Sequence, residues 1–350
     1  MVQSSVLASY PELDDGDGPR PAASLPIQVL PGGLINQTYA LGRRFVLQRL
    51  HPVFRPEVND DIAALVPALR RAGVPVPELV RTASGATFVP ADGTWRILTR
   101  LAGETRHRLR APSDARALGG MVARFHGALR DAEHTFAFER PGAHDTGAHV
   151  ASVQAALDAA PSHRLAAAVA PIATALETAW AQFPQPVGLP LRIIHGDLKV
   201  SNVLWTGGDV VGVVDLDTMG YYGVDIELGD ALRSWCNLGV EDDPAPALSV
   251  ETFAFAVEGY VLGARPWLTA PEVESLPRSL ERIALELSAR FAADALRESY
   301  FGWDASRFPG RGEHNLVRAK NQLGLMLAAQ RERRALEEAV ARAVAASGHV

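Results

Sequence analysis

The sequence has one cysteine, no run of basic residues and no long uninterrupted apolar stretch. The lone Cys236 excludes an internal disulfide and fits a reducing compartment, so we expect a cytoplasmic protein. A net charge of −6 without a Lys or Arg run argues against nucleic acid or an anionic membrane as the main partner. The most apolar stretch, residues 165–180, is interrupted by Pro171 and polar residues, which predicts an Ala-rich helix rather than a membrane span. The N-terminus lacks a basic segment followed by an apolar core, so we predict no signal peptide.

The most informative stretch of the 350-residue chain is residues 193–220. Asn202 follows Asp197 by five residues, and Asp215 follows Asn202 by thirteen. Apolar, β-branched runs between these positions are separated by a Gly-Gly-Asp turn, so residues 203–214 are predicted to form a hairpin. The acidic and amide side chains are then expected on the loops at one end of that hairpin.

This spacing matches the needs of phosphoryl transfer. A carboxylate must orient the accepting hydroxyl and take its proton, and Mg²⁺ must bridge nucleotide phosphates with hard oxygen ligands. Protein kinases place a base Asp, an Asn five residues later and a metal-binding Asp after a short hairpin. We therefore predict Asp197 as the base and Asn202 and Asp215 as Mg²⁺ ligands. Asp217 either joins the metal site or caps a turn, and the alternative to the whole interpretation is an ordinary hairpin with turn-capping polar residues.

The variant His195-Gly196-Asp197, with Lys199 two residues after the Asp, resembles the aminoglycoside phosphotransferase and choline kinase superfamily of small-molecule kinases. The resemblance implies an α+β, bilobal, protein-kinase-like fold. Residues 1–102 would form a small antiparallel-β lobe that binds ATP, and residues 103–350 a larger helical lobe that binds the substrate. It also implies that His195 braces the catalytic loop and that Lys199 neutralises charge on the transferring phosphoryl group. Residues 1–24 are expected to be loosely ordered.

In the first lobe, strands at 27–30 and 39–41 enclose a Gly32-Gly33 pair that would let backbone N–H groups approach the nucleotide phosphates. Asn36 would help to hold that turn. The inter-lobe hinge is placed by order alone at residues 99–103, where Arg100 and Leu101 would contact adenine through their backbone.

The third strand, residues 45–50, should supply the cation that steadies the nucleotide phosphates. Most of the superfamily has Lys there, whereas this chain has Gln48 and Arg49, which alternation places on opposite faces of the strand. Arg49 either does this work or belongs to a solvated strand end. The helix that follows, residues 56–72, should be kinked or split by Pro67. Its acidic residues are candidates for the carboxylate that pairs with the cation, or simply suit the helix dipole: Glu57, Asp60 and Asp61.

The C-terminal third is predicted to be helical at 250–262, 270–296 and 315–346. Its Arg290-Phe291 and Ser299-Tyr300-Phe301 segments resemble N-acetylhexosamine 1-kinase and its relatives, as do 33–39 and 46–50 near the front. The resemblance implies that Arg290 and Tyr300 contact a sugar; the alternative is that Arg290 pairs with a nearby Glu and Tyr300 packs in the core. Leu34 stands where that family often has a sugar-contacting His.

These patterns together predict an ATP- and Mg²⁺-dependent kinase acting on a hydroxyl of a sugar or amino sugar. Aminoglycoside, choline or homoserine kinases stay open as alternatives. A polycationic aminoglycoside would need clustered acidic residues, which the C-terminal helices do not visibly show. From another class, a nucleotide-binding pseudokinase is favoured only by the missing third-strand Lys.

Overall fold

The computed structural model describes residues 4–30 and 36–348. The strands are β1 Leu13–Asp14, β2 Pro19–Arg20, β3 Ile27–Val29, β4 Gln37–Leu41, β5 Phe45–Arg49, β6 Leu79–Val80, β7 Val89–Ala91, β8 Gly93–Thr99, β9 Glu104–Thr105, β10 Arg192–Ile194, β11 Val203–Thr206, β12 Asp209–Val213 and β13 Gly220–Tyr222. The α-helices are α1 Ser4–Ala8, α2 Val58–Arg71, α3 Asp114–Leu129, α4 Thr146–Ala159, α5 Ala166–Gln182, α6 Val224–Trp235, α7 Val250–Ala264, α8 Ala270–Arg297, α9 Arg311–Arg331 and α10 Arg333–Ser347. Short 3₁₀ turns lie at Ala22–Ser24, Val200–Asn202 and Leu216–Thr218.

An antiparallel six-stranded sheet forms the first lobe, in the order β3-β4-β5-β8-β6 with β7 paired to β8. In this register Gln48 of β5 lies directly opposite Arg96 of β8. One face of the sheet packs on α1 and the chain after it, where Val6, Leu7 and Tyr10 are buried. The prediction that residues 1–24 are loosely ordered is therefore wrong for this part of the chain, because its apolar side chains complete the sheet's core. Gly32, Gly33 and Leu34 lie outside the described residues.

Helix α2 crosses the other side of the sheet lobe and packs towards α3. Ile62, Leu65 and Leu69 are buried on its apolar face, as the helical spacing predicts. Pro67 lies inside the helix without splitting it. A proline removes one backbone donor, and we infer that the buried apolar face compensates for the lost hydrogen bond.

The remaining helices form one large core in which α3 packs on α7 and the long α8 packs on α4, α6 and α9. Close approach of α3 and α7 requires glycine, since a Cβ at Gly119 would lie 2.0 Å from the Ala256 carbonyl oxygen. The helix predicted at 315–346 is two helices, which separate at Glu332, where ψ is 9°. Helix α9 packs on α8 and α10 turns back onto α7, so tertiary packing imposes a break that has no Gly or Pro signal.

The predicted hairpin is present as β11 and β12, with Gly207 at φ +60° in its turn. Strand β9, just after the predicted hinge, pairs with β11 and ties that segment to the hairpin. The α+β fold with a small antiparallel sheet and a larger helical part is thus confirmed, while the lobe boundary at residue 102 stays a prediction. Among the described residues, no helix combines the length and the apolar character needed to cross a membrane.

Candidate functional site

The loop after β10 is fixed at its start by a buried carboxylate from α6. Glu227 accepts hydrogen bonds from the backbone N–H of His195 at 2.5 Å and of Gly196 at 3.1 Å. Its Oε2 also lies 3.3 Å from His126 Nε2. On the other side, the His195 ring Nε2 lies 3.0 Å from the Val214 carbonyl oxygen. Glu227 thus anchors the start of this loop through its backbone.

Two further contacts from the end of α6 hold the rest of the loop. Trp235 Nε1 donates to the Leu198 carbonyl at 2.9 Å, and Ser234 Oγ accepts from the Val200 N–H at 3.1 Å. At Gly196 the backbone has φ +79°, and a Cβ would lie 2.6 Å from the Thr218 carbonyl oxygen. The loop conformation therefore requires glycine at this position.

Asp197 is at the centre of a compact polar cluster. Its Oδ2 accepts from Lys199 Nζ at 2.5 Å and from Asn202 Nδ2 at 3.0 Å, and its backbone carbonyl accepts from the same Asn202 amide at 2.7 Å. Burial raises the pKa of the Asp197 carboxyl, but the adjacent Lys199 ammonium outweighs this and holds that pKa below its usual value. The same pair raises the pKa of Lys199 against the effect of burial. Asp197 is therefore ionised near neutral pH.

Asp215 follows β12 in a left-handed conformation, with φ 68° and ψ 59°. No described residue donates a hydrogen bond to its carboxylate or to the Oδ1 of Asn202. Burial, then the neighbouring carboxylates of Asp217 and Asp197, raise the pKa of Asp215 to about 6. The Asp215 carboxylate and the Asn202 Oδ1 are therefore available as metal ligands, and the negative charge around them suits a divalent cation such as Mg²⁺. Mg²⁺ takes few protein ligands and completes its coordination shell with phosphate oxygens and water.

Asp217, two residues later, is already engaged by the sheet lobe. Arg96 of β8 donates to both of its carboxylate oxygens, at 2.6 and 2.8 Å, and Asn36 Nδ2 donates at 2.8 Å. Arg96 also donates to Gln48 Oε1 at 2.9 and 2.7 Å and to Asn59 Oδ1 of α2 at 3.2 Å. Metal ligation by Asp217 stays a prediction; in this structure its carboxylate pairs with Arg96.

The other predicted nucleotide residues are distributed as follows. Gln48 faces Arg96, whereas Arg49 forms an ion pair with Asp92 at 3.1 Å and lies 6.0 Å from the centre of the Trp95 ring. The Arg100 N–H donates to the Arg44 carbonyl at 2.8 Å. Its partner in the predicted hinge, Leu101, directly follows it, and adenine binding there stays a prediction.

The three acidic candidates of α2 do not pair with a strand cation. Asp61 accepts from the backbone N–H groups of Ala137 and Phe138 at 2.8 and 3.0 Å and lies 2.8 Å from His134 Nε2. Asp60 accepts from the Thr87 hydroxyl, and Glu57 lies at the surface, 3.8 Å from Arg55. The α2 residue that contacts the Arg96 guanidinium is the neutral Asn59, which the sequence analysis did not predict.

A cavity of about 260 Å³ opens beside the loop that follows β10. Its lining includes Gly196 and Thr218 of the loop region together with six further polar residues: Glu139, Arg140, His144, Asp217, Tyr221 and Tyr222. His144 Nδ1 lies 2.9 Å from the buried Glu286, and its ring contacts the Tyr222 ring edge-to-face. No sequence motif marks Arg140 or His144.

The predicted sugar contacts lie near this cavity. Tyr300 is 50% exposed, and its hydroxyl oxygen accepts from Arg140 Nη2 at 3.4 Å. The Arg290 guanidinium lies 5.5 Å from the Phe301 ring centre and 6.0 Å from that of Tyr300. The structure thus brings Tyr300 and Arg290 together, and Arg140 connects them to the cavity.

A match to a protein-family model assigns this chain to a family. The model of the phosphotransferase enzyme family, APH, matches residues 26–249, which include the six-stranded sheet, the loop after β10 and Asp215. The chain belongs to this family. The predicted superfamily is thereby confirmed, and the match extends over about two-thirds of the phosphotransferase chain.

Two curated relatives are homoserine kinases. That of Methylorubrum populi is 33% identical over 173 residues, covering 48% of this chain and 50% of that protein. That of Methylocella silvestris is 29% identical over 228 residues, covering 64% and 66%. The chain therefore spans between half and just under two-thirds of the length of these relatives.

Solved structures of low identity share the fold. A microcompartment-associated aminopropanol kinase matches with TM-score 0.57 and 18% identity, covering 95% of this chain and 97% of that one. An aminoglycoside phosphotransferase from Alicyclobacillus acidocaldarius matches with TM-score 0.57, 15% identity and the same coverage. Amicoumacin kinase hAmiN, solved with AMP-PNP, Ca²⁺ and Ami, matches with TM-score 0.55 and 15% identity, covering 85% and 87%.

Proposed function

We propose that this phosphotransferase is an ATP- and Mg²⁺-dependent kinase that transfers the γ-phosphoryl group to a hydroxyl of a sugar or amino sugar. The observation that supports this best is the Asp197 carboxylate, held by Lys199 and Asn202 at 2.5 and 3.0 Å. Gly196, its neighbour, lines a cavity of about 260 Å³, a volume suited to a small polar molecule.

In this proposal Asp197 accepts a hydrogen bond from the acceptor hydroxyl and takes its proton during transfer. Because its pKa is held low, Asp197 acts mainly by orienting the hydroxyl and by accepting the proton late in the reaction. Lys199 keeps the carboxylate in place and offsets negative charge near the transferring group. Asn202 and Asp215 would hold Mg²⁺, which supplies electrostatic stabilisation of the phosphates when bound.

The acceptor would occupy the cavity beside Gly196. Arg140, His144 and Tyr222 give it donors and an aromatic edge, and Tyr300 extends it at the rim through its contact with Arg140. Such groups suit the hydroxyls and the apolar ring faces of a sugar. Arg290 lies behind Tyr300, where it would fix the ring that contacts the acceptor.

A second candidate acceptor is homoserine, because both curated relatives described above are homoserine kinases. Arg140, which lines the cavity, offers the planar cation that binds a carboxylate well. Homoserine carries a carboxylate, whereas a neutral sugar does not, so Arg140 distinguishes the two acceptors.

The test is ADP release from Mg-ATP with hexoses, N-acetylhexosamines, homoserine, choline and aminoglycosides, using Asp197→Asn as the blank. Turnover of a sugar, lost in the blank, supports the main proposal. For homoserine, Arg140→Gln should raise KM by roughly ten- to a hundred-fold through loss of a charge-assisted hydrogen bond, but only a few-fold for a neutral sugar. No nucleotide binding and no turnover with any acceptor would refute the kinase proposal.

A further inference from the structure

The sheet lobe contains no lysine at all. The whole chain has two, Lys199 in the catalytic loop and Lys320 in α9. Protein kinases use a lysine on their third strand, paired with a carboxylate of the following helix, to steady the nucleotide phosphates. Here β5 has Gln48 at the position that faces the helical lobe, and α2 has the neutral Asn59 rather than a carboxylate in contact with the cation. A nucleotide site in this lobe therefore needs a cation from a residue other than residue 48 of β5.

Arg96 provides a guanidinium at that place. It lies directly across from Gln48 in the β5–β8 register, and its Nε and Nη2 both donate to Gln48 Oε1, at 2.9 and 2.7 Å. The positive charge is thus within hydrogen-bond distance of the end of the residue 48 side chain, which is where a lysine at 48 would carry its ammonium. Arg49 does not compete for this role, because its side chain pairs with Asp92 on the other face.

Arg96 contacts groups from both α2 and the loop that follows β12. Nη1 contacts Asn59 of α2, and both Nη atoms contact Asp217, two residues after the metal-ligand candidate Asp215. Arg96 and Asp217 are each 1% exposed, and all the N–H groups of Arg96 are directed at acceptors. Strand β5, helix α2 and the loop that follows β12 therefore all contact the buried guanidinium of Arg96.

We propose that Arg96 is the phosphate-binding cation of the nucleotide site, supplied by β8 in place of the lysine that β5 lacks. This rests on the proposed function, since it names a residue of the same ATP site. Without nucleotide, the Arg96 guanidinium donates hydrogen bonds to the Asp217 carboxylate. When ATP binds, a phosphate oxygen accepts these hydrogen bonds in place of Asp217. One anion replaces another, so the buried arginine is never left unpaired, and the released Asp217 carboxylate keeps its hydrogen bond from Asn36 Nδ2. Gln48 and Asn59 hold the guanidinium in position throughout the exchange.

The first experiment removes the cation without leaving an unpaired buried charge. The variant Arg96→Met/Asp217→Asn lacks both members of the ion pair and is compared with Asp217→Asn alone, which keeps the arginine. ATP binding is measured by calorimetry in EDTA, so that no metal ligand is involved, and again with Mg²⁺. Asp217→Asn should bind metal-free ATP at least as tightly as the wild type, because a competing carboxylate is gone. The double variant should bind about ten- to a hundred-fold more weakly than Asp217→Asn.

Equal affinity in these two variants would overturn the proposal and leave Arg96 as a structural partner of Asp217 only. The wild type separates this result from a failure of the proposed function: if it binds Mg-ATP and turns over an acceptor, the kinase proposal stands whatever the Arg96 variants show. Thermal melting of each variant confirms that the proteins compared are folded.

The second experiment moves the cation back to β5. Gln48→Lys/Arg96→Met places an ammonium where the guanidinium was, and Gln48→Met/Arg96→Met is its matched control without any cation. The lysine variant should recover at least ten-fold in ATP affinity over the control. Gln48→Lys in the presence of Arg96 should instead lower the melting temperature, because it places two cations side by side. Equal affinity of the two double variants would contradict the proposal.

Discussion

Substitution of Asp61 by alanine tests how α2 supports the acceptor cavity. The Asp61 carboxylate accepts from the backbone N–H groups of Ala137 and Phe138 at 2.8 and 3.0 Å. The segment that contains these residues continues to Arg140, and Phe136, Phe138 and Arg140 all line the cavity. Alanine at 61 leaves these backbone donors without their acceptor and releases the segment from the helix.

The expected cost follows from the burial of the donors. The Phe138 bond is fully buried and the Ala137 bond is partly exposed. An unsatisfied buried donor costs about 1–3 kcal/mol, so the loss of both backbone bonds, together with the contact to the half-buried His134 Nε2 at 2.8 Å, should total about 3 kcal/mol. An unfolding entropy of about 2.1 cal/mol/K per residue gives about 0.7 kcal/mol/K for a chain of 350 residues. The melting temperature should therefore fall by about 4 °C.

The assay is differential scanning fluorimetry, combined with acceptor KM once an acceptor is known. Asp61→Ala should raise KM more than it lowers kcat, since the cavity wall moves while the catalytic loop keeps its contacts. Asp60→Ala is the matched control, because this neighbour makes one side-chain bond, to Thr87, and should cost about 1 kcal/mol or less. The reasoning is refuted if Asp61→Ala melts like Asp60→Ala and leaves KM unchanged.

Two further predictions concern Gly196, in the loop after β10, and Asp215, the proposed metal ligand. Gly196→Ala should lose about 1–3 kcal/mol of stability and most turnover, because φ at this residue is +79° and the new Cβ would lie 2.6 Å from the Thr218 carbonyl oxygen. The control is Gly208→Ala, whose new Cβ has no atom within 4 Å. Equal melting temperatures of the two variants would contradict the strain argument. The raised pKa of Asp215, about 6, means that the folded state binds this proton more tightly than the unfolded chain. Relative to Asp215→Asn, the wild type without Mg²⁺ should lose stability as the pH rises from about 4 to 7, measured by urea denaturation, and added Mg²⁺ should oppose the loss. A difference between the two proteins that does not change with pH would show that Asp215 has an ordinary pKa.

The local parts of the site were predictable from the sequence. The spacing of Asp197, Asn202 and Asp215 around a hairpin predicts their grouping because the intervening chain is short and the turn glycines fix its geometry.

The long-range parts were not predictable. Arg96 meets Gln48 because of a strand register between residues 48 positions apart, and it meets Asp217 across 121 positions. Asp61 finds its backbone partners 76 and 77 residues away, where nothing in the sequence marks an anchor. Conversely, the packing of Val6 onto the sheet was missed because a Gly/Pro-rich composition nearby suggested disorder. Pairings of this kind depend on tertiary packing, which a periodicity or a motif does not encode.

The most direct test of the kinase proposal compares wild type and Asp197→Asn for nucleotide binding and phosphoryl transfer in the same buffer with Mg²⁺. The account predicts that Asp197→Asn binds ATP within about three-fold of the wild type, since Asp197 contacts the acceptor rather than the nucleotide. Transfer to the acceptor should fall by about 10²–10⁴-fold with loss of the group that takes the proton. Undiminished transfer in Asp197→Asn would contradict the assignment of the base and with it the catalytic role of the loop.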